Sequence, residues 1–282
     1  MDKILLNSNA KINLSLDVLG RRADGYHEVK MIMNQCGLCD CVLLEKRKGG
    51  IELYTNLRYL PADEKNIAYQ AAAAFFSFTG LNGGVRIQIT KHIPVAAGLA
   101  GGSGNCAAVL YGLNQLFDTK LTQQQLMQIG EKLGADVPYC IAGGTMLAEG
   151  IGERLTPIAA LGRMPIVIVK PRLSLSTAKI YQKLDEQAQI FHPDTDALIR
   201  ALERRDIRLA ASLMANVMEA VSASEHPIIT VLKQQLLRAG AIGALMSGSG
   251  PSVFALFEQF SDAKKAVEPY RQKYFTYVGW TK

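Results

Sequence analysis

No apolar stretch in these 282 residues approaches the ~20 that a membrane-spanning helix needs, so a membrane-embedded protein is not expected. Met1-Asp2-Lys3 leads into a short apolar run that Asn7, Ser8 and Asn9 break, which fits no secretory leader and points to the cytoplasm. Cysteine is sparse and odd in number, five in all, which argues against a disulfide framework. Cys36, Cys39 and Cys41 have a metal-like C-x2-C-x-C spacing but lack a fourth ligand of matching spacing. Cys39 and Cys41 alternate as strand residues do, so the cluster reads as buried thiols, and no protein-held metal is expected. Dense basic runs and basic-aromatic interleaving are also missing, which removes nucleic acid as an expected partner. The excess of 31 basic over 25 acidic residues instead suits a small anionic substrate. Internal repeats and low-complexity tracts are absent.

What the chain does have is glycine in one place. Between positions 98 and 104 stand Gly98, Gly101, Gly102 and Gly104 with Ser103, directly before an apolar run that opens at Cys106. The stretch follows a strand-like alternation, Val85-Arg86-Ile87-Gln88-Ile89. Glycine lets backbone N–H groups approach a ligand, and a helix start offers unpaired donors with partial positive charge. The combination is an anion site, most often for phosphate. It is not a Walker loop, because no Gly-Lys-Ser/Thr follows. It is not a dinucleotide fingerprint either, because no acidic residue closing a second strand stands about twenty residues on.

The remaining pattern is α+β. Ala10-Lys11-Ile12-Asn13-Leu14-Ser15-Leu16 alternates as a strand, with Lys11, Asn13 and Ser15 on one side, facing either solvent or a ligand. Asp24-Gly25 marks a turn, and Tyr26 and His27 after it either pack and lie on the surface or meet a planar base. Strands are expected over 29–45, 51–57 and 85–90. A helix over 65–78 should be capped by Asp63 and end at Thr79-Gly80, and the loop's helix should run to Phe117. Thr122 and Gln125 form a capping box for a helix that stops at Gly134. Pro138 then holds Asp136 on a non-helical corner, as a cap or a general base. Turns follow at Gly143-Gly144 and over 149–153. The second half is expected to hold a strand at 165–171 and helices over 177–185, 194–203, 206–222 and 227–239. A second glycine loop between two strands, Ser247-Gly248-Ser249-Gly250-Pro251, should wrap a phosphate or brace the first. A helix over 261–273 and a strand over 274–280 finish an α+β sandwich with a small antiparallel sheet.

Together, Ala10-Lys11-Ile12-Asn13-Leu14, Asp24-Gly25-Tyr26-His27, the glycine stretch from Pro94, Gly134-Ala135-Asp136-Val137-Pro138 and Met246-Ser247-Gly248-Ser249-Gly250-Pro251 resemble the GHMP kinase superfamily over nearly the whole chain. The first two elements resemble its cytidyl-substrate branch. The resemblance implies a two-domain GHMP kinase fold, with a ribosomal protein S5 domain 2-like N-terminal domain (1–157) that binds ATP and a ferredoxin-like C-terminal domain (158–282). It implies transfer of phosphate from ATP, with Mg²⁺, to the 2-hydroxyl of a small cytidyl diphosphate of isoprenoid precursor synthesis, by a monomer or weak homodimer. Pro94, Val95, Ala96, Ala97, Gly98, Leu99, Ala100, Gly101, Gly102, Ser103 and Gly104 would form the ATP loop, and Asn66, Ile67 and Lys91 would line the adenine pocket. Asp136 would be the base, and Lys11 would orient the hydroxyl and stabilise developing charge. Tyr26 and His27 would take the cytosine, with Asn13, Thr177 and Tyr181 completing the substrate side.

One position departs from the family pattern. Gly104 stands where the family usually has a second serine, so one hydroxyl that could reach a phosphate or Mg²⁺ is missing. Losing a charge-assisted hydrogen bond costs ~1.5–3 kcal/mol, which weakens a site whose backbone donors remain. The departure keeps two alternatives open: a related kinase with another small-molecule acceptor, or a nucleotide-binding paralogue with little turnover.

Overall fold

The computed structural model describes residues 2–187 and 191–282. Two long strands open the chain, β1 (Lys3–Arg21) and β2 (His27–Arg47). Between them Gly25 takes a left-handed φ of 87° and the Tyr26 amide donates to Asp24 Oδ1 at 3.1 Å, which makes the expected turn. β3 (Gly50–Thr55), α1 (Ile67–Thr79) and β4 (Gly84–Thr90) follow as the pattern indicates. The cap of α1 is Asn66 and not Asp63: Asn66 accepts from the Ala68 amide at 3.0 Å, and Asp63 instead accepts from the Lys65 amide just before the helix.

α2 (Gly101–Leu116) begins five residues before the expected apolar opening at Cys106, so most of the glycine stretch is its first turn. α3 (Gln123–Glu131) has the full capping box of Thr122 and Gln125. It is followed by a short helix that the pattern does not indicate, α4 (Val137–Ala142), with Asp136 on the corner before it as the N-cap residue. Pro138 sits at the helix start, where its missing N–H costs nothing. The stretch expected to close with turns contains a hairpin, β5 (Thr145–Gly150) and β6 (Arg154–Pro157).

β7 (Pro165–Lys170), α5 (Thr177–Asp185) and α6 (Thr195–Glu203) agree with the sequence pattern. The long helix expected over 206–222 is two helices, α7 (Ile207–Leu213) and α8 (Val217–Glu225), divided by a two-residue strand, β8 (Ala215–Asn216). The Asn216 side chain accepts from the Met218 amide at 3.0 Å and starts α8 afresh. α9 (Ile228–Arg238), β9 (Gly243–Met246), β10 (Val253–Leu256), α10 (Phe260–Val267) and β11 (Phe275–Trp280) complete the chain. The last helix is shorter than the pattern suggests, because Pro269 turns its end into a 3₁₀ turn over Glu268–Tyr270.

The residues pack as two compact units, neither contiguous in sequence. The first takes Met1–Ala10, Leu38–Val95 and Ala100–Gly143. In it β4 pairs antiparallel with the end of β2 (Cys41↔Thr90 to Arg47↔Gly84) and parallel with β3. Val42, Leu44, Val85 and Ile87 meet Ala71, Ala72 and Phe75 of α1 and Val109, Leu110 and Leu113 of α2 in one core. Each large side chain so buried contributes about 1.5–3 kcal/mol. The alanines of α1 let it lie close to α2.

The second unit takes Lys11–Gly37, Ala96–Leu99 and Gly144–Lys282. Its four-stranded sheet runs β11-β7-β10-β9, antiparallel throughout, with α7, α9 and α10 packed on it. The start of β2 pairs with β5, and Ser15 and Leu16 of β1 pair with β8. Lys11, Asn13 and Ser15 are as buried as Ile12, Leu14 and Leu16. A solvent-facing side for β1 is therefore ruled out at these positions.

Candidate active site

The start of α2 is held by a buried polar cluster in the first unit. The carboxylate of Asp40, wholly buried on β2, accepts from the His92 amide at 2.7 Å, the Ile93 amide at 2.8 Å and Asn105 Nδ2 at 2.9 Å. It also forms an ion pair with Lys91 Nζ, which donates in addition to Asn105 Oδ1 at 2.9 Å. One carboxylate thus ties the exit of β4 to the second turn of α2. Burying it is tolerable because every acceptor direction is used. Lys91, expected at an adenine pocket, has its ammonium engaged inside this cluster with its side chain 5% exposed.

Around the first turn of α2 stand other residues singled out from the sequence. A Cβ on Gly102 would lie 3.7 Å from Ile67, and one on Gly101 would lie 3.1 Å from Lys91 Nζ. A Cβ on Gly134 would lie 3.9 Å from Ser103 Oγ, so these groups gather at the helix start. Asn66 caps α1 beside Ile67 and donates to the Pro61 carbonyl at 2.8 Å. The residue before α2, Ala100, has no side chain able to cap it. The first N–H groups of such a helix are donors suited to an anion. Asp136 lies half-buried at the N-cap position of α4, and its side chain does not cap that helix.

The preceding backbone is strained. Ala96, Gly98 and Ala100 take φ values of 49°, 73° and 54°, and left-handed alanine costs roughly 1–2 kcal/mol each. Pro94 is half-buried and Val95 exposed, Ala97 and Leu99 are buried, and Gly102 is exposed at the helix start.

In the second unit, Gly98 meets the second glycine loop: Ser247 Oγ donates to the Gly98 carbonyl at 2.9 Å. The second loop is thus a brace, one of the two roles expected for it. Asn216 Nδ2 holds that brace through the carbonyls of Met246 and Gly248, each at 2.8 Å. The Lys11 amide donates to the Leu99 carbonyl at 3.2 Å, and Lys11 Nζ donates to Asn13 Oδ1 at 2.6 Å. Asn13 Nδ2 in turn rests on the Met31 sulfur at 3.3 Å. A buried ammonium oriented by an amide is suited to stabilising negative charge that develops on an oxygen.

Of the residues expected on the substrate side, His27 and Tyr181 meet within this unit. His27 stacks on Tyr181 of α5, with ring centroids 4.3 Å apart and planes 15° apart. His27 Nε2 pairs with Asp185 Oδ1 at 2.8 Å. Thr177 and Ser249 share a hydroxyl hydrogen bond of 2.8 Å, and Tyr26 is 60% exposed.

Sequence reasoning missed Asp40, Asn216 and Asp185. Asp40 had a signal: it takes the inward register of Leu38, Val42 and Leu44, where a carboxylate must be bought with partners. Asp185 and Asn216 had none, since a helix-end aspartate and an asparagine within an apparent helix are ordinary. Among the described residues no group of three or more His, Cys, Asp or Glu could hold a metal, and no disulfide forms. Cys36 is buried, whereas Cys39 and Cys41 are only half-buried, on the other face of β2. No helix among the described residues is long and apolar enough to cross a membrane.

Comparison with known proteins identifies the family. The model of the GHMP kinases N terminal domain matches residues 66–144, and that of the GHMP kinases C terminal region matches residues 198–276. A protein of Alkaliphilus metalliredigens named 4-diphosphocytidyl-2-C-methyl-D-erythritol kinase is 52% identical over 95% of this chain and 92% of its own length. A protein of the same name from Acetivibrio thermocellus is 48% identical over 95% of both chains. A crystal structure of 4-(cytidine 5'-diphospho)-2C-methyl-D-erythritol kinase, 32% identical, superposes with a TM-score of 0.85 over 99% of both chains. A homoserine kinase from Cytophaga hutchinsonii, 24% identical, shares the fold with a TM-score of 0.79 over 99% of this chain and 95% of that one. Its fold and both halves of its sequence make this chain a member of the GHMP kinase family.

Proposed function

We propose that this small-molecule kinase transfers the γ-phosphoryl group of ATP to the 2-hydroxyl of 4-diphosphocytidyl-2-C-methyl-D-erythritol. The observation that carries this reading is the near-full-length identity of 52% to a relative bearing that substrate's name. Tyr26 and His27, with His27 stacked on Tyr181, add an aromatic surface suited to a base.

In this reading the N–H groups at the start of α2, with the loop from Pro94 through Gly104, hold the ATP phosphates. Asn66 and Ile67 line the adenine side, and Lys91 supports it from within, because its ammonium is committed to Asp40 and Asn105 and its backbone N–H and C=O to the Asn56 side chain. Mg²⁺ bound with the nucleotide would neutralise phosphate charge. Asp136 accepts the proton of the attacking hydroxyl, Lys11 orients that hydroxyl and stabilises the charge that develops on it, and Asn13 fixes Lys11. Tyr26, His27, Thr177 and Tyr181 hold the cytidyl substrate. Phosphoryl transfer asks for this combination of positioning and electrostatics more than for covalent chemistry. We assign ATP binding to an N-terminal kinase domain of residues 1–157, and residues 158–282 to the C-terminal kinase domain. We also infer a cytoplasmic monomer or weak homodimer without nucleic-acid or membrane partners.

The test is ADP release with ATP, Mg²⁺ and the cytidyl substrate, with the product confirmed by mass. Phosphorylated product that disappears in Asp136→Asn, with nucleotide and substrate binding retained, supports the reading. ADP release without phosphorylated product points to another acceptor, and full turnover in Asp136→Asn removes Asp136 as the base.

A further inference from the structure

We propose that Ser8 is a positioning residue for the nucleotide-binding helix start, and that Ser8 and Gly104 form a matched pair in which the hydroxyl absent at 104 is delivered from β1. The proposal rests on the reading of the α2 start as the phosphate cradle.

Gly104 is buried, and its side-chain direction leads to Ser8: a Cβ there would lie 2.6 Å from Ser8 Oγ and 3.4 Å from the Asn9 carbonyl oxygen. No real Cβ sits so close to an oxygen, so residue 104 can have a side chain only if the Ser8 hydroxyl moves. That hydroxyl is not idle. It is buried with Ser8 at 3% exposure and accepts from Asn105 Nδ2 at 3.1 Å.

The orientation of Asn105 is fixed from both ends. Its Oδ1 accepts from Lys91 Nζ at 2.9 Å, so its Nδ2 must carry the remaining bonds, to Asp40 Oδ2 at 2.9 Å and to Ser8. Ser8 is therefore the outermost member of the network that joins the β4 exit to α2. Without its hydroxyl, one buried N–H of Asn105 loses its acceptor. Gly104 is thus no simple loss of a phosphate ligand, because a side chain there would point at β1. The steric conflict ends if Ser8 becomes alanine, since Ser8 Cβ would lie 3.9 Å from the Cβ at 104, an ordinary contact.

The test is a cycle of Ser8→Ala, Gly104→Ser and the double variant, read by titration with a fluorescent ATP analogue plus Mg²⁺, by the KM for ATP against kcat, and by thermal unfolding without nucleotide. Each single variant is expected to weaken nucleotide binding about two- to tenfold, the scale of one hydrogen bond. The double variant, with the hydroxyl moved across the same contact, should return to within about twofold of the parent. Additive losses, or a Gly104→Ser variant that binds as well as the parent, would overturn the pairing. Coupling in melting temperature without coupling in nucleotide affinity would make Ser8 a packing residue and overturn the positioning role. A parent protein that binds no Mg·ATP would sink the phosphate-cradle reading and this proposal with it. Binding by the parent with additive variants would sink this proposal alone.

Discussion

The hydroxyl of Ser247 donates to the carbonyl of Gly98 at 2.9 Å, while a Cβ on Gly98 would come within 2.0 Å of the carbonyl oxygen of Ser247. The two loops therefore touch backbone to backbone, and the contact leaves no room for any side chain at 98. Glycine is required there twice over, since φ is 73° as well. A loop with two left-handed alanines keeps its shape only if something outside it supplies the energy, and this contact is one such source.

Gly98→Ala and Gly144→Ala separate the two requirements, because both glycines have a φ of 73° but nothing lies within 4 Å of a Cβ on Gly144. Gly144→Ala should cost only the left-handed penalty, about 1–2 kcal/mol. Gly98→Ala should cost beyond about 3 kcal/mol, with loss of nucleotide binding. Urea unfolding of both variants decides the matter, and equal costs would mean the brace yields freely.

Asp40→Ala should destabilise by about 3–5 kcal/mol, because it leaves the Lys91 ammonium buried without its carboxylate and three further donors without an acceptor. Asp40→Leu with Lys91→Met, which removes both charges, should recover much of that stability while leaving nucleotide affinity impaired. Denaturant midpoints and ATP titrations of the two variants check this. Full affinity in the double variant would make the cluster a matter of stability alone.

Periodicity made the sheets and most helices legible, because alternation in Val85–Ile89 and spacing of three and four in α9 record burial directly. Errors fell where tertiary contacts outweigh local preference. A run of glycines argues against helix, yet α2 starts at Gly101 because Asp40 and Lys91 anchor its second turn through Asn105. Residues 206–222 read as one helix because Met214-Ala215-Asn216 contains no breaker. The Asn216 side chain bonds the carbonyls of Met246 and Gly248, far away in sequence, and no local rule reveals that.

The same contrast holds at the site. Lys11 and Asn13 share a strand face, so their 2.6 Å hydrogen bond follows from a period of two. The His27–Asp185 contact spans 158 positions and depends on how α5 packs, so only the structure gives it.

Asp185→Ala should raise the KM for the cytidyl substrate about five- to tenfold and leave the KM for ATP unchanged. The mutation frees an imidazole that Asp185 holds at 2.8 Å through Nε2 and Tyr181 holds by stacking. A fixed Nε2 contact dictates which ring nitrogen is left for a ligand. Steady-state kinetics with each substrate varied in turn reads the split. If neither KM moves, His27 does not touch the base, and if both move, the change is a general loosening.

Burial on α2 pushes the Cys106 thiol up to about 12 from an ordinary value of 9.0. The sign of the consequence follows from proton counting. Above pH 9 the unfolded thiol ionises while the folded one stays protonated, so the unfolded state binds fewer protons and stability falls as pH rises. The loss begins at the unfolded pKa and levels off near the folded one, at up to about 1.4 kcal/mol per pH unit in between. Cys106→Ala removes the term. Between pH 8 and pH 10 the parent should therefore lose about 1.4 kcal/mol more than the variant, as read by denaturant unfolding at each pH. Iodoacetamide at pH 8 should likewise leave Cys106 unmodified in the folded protein, since the reactive thiolate does not form there. Parallel stability curves for parent and variant would mean that the α2 core opens to solvent often enough for the thiol to ionise without unfolding, and native alkylation of Cys106 should then appear alongside them.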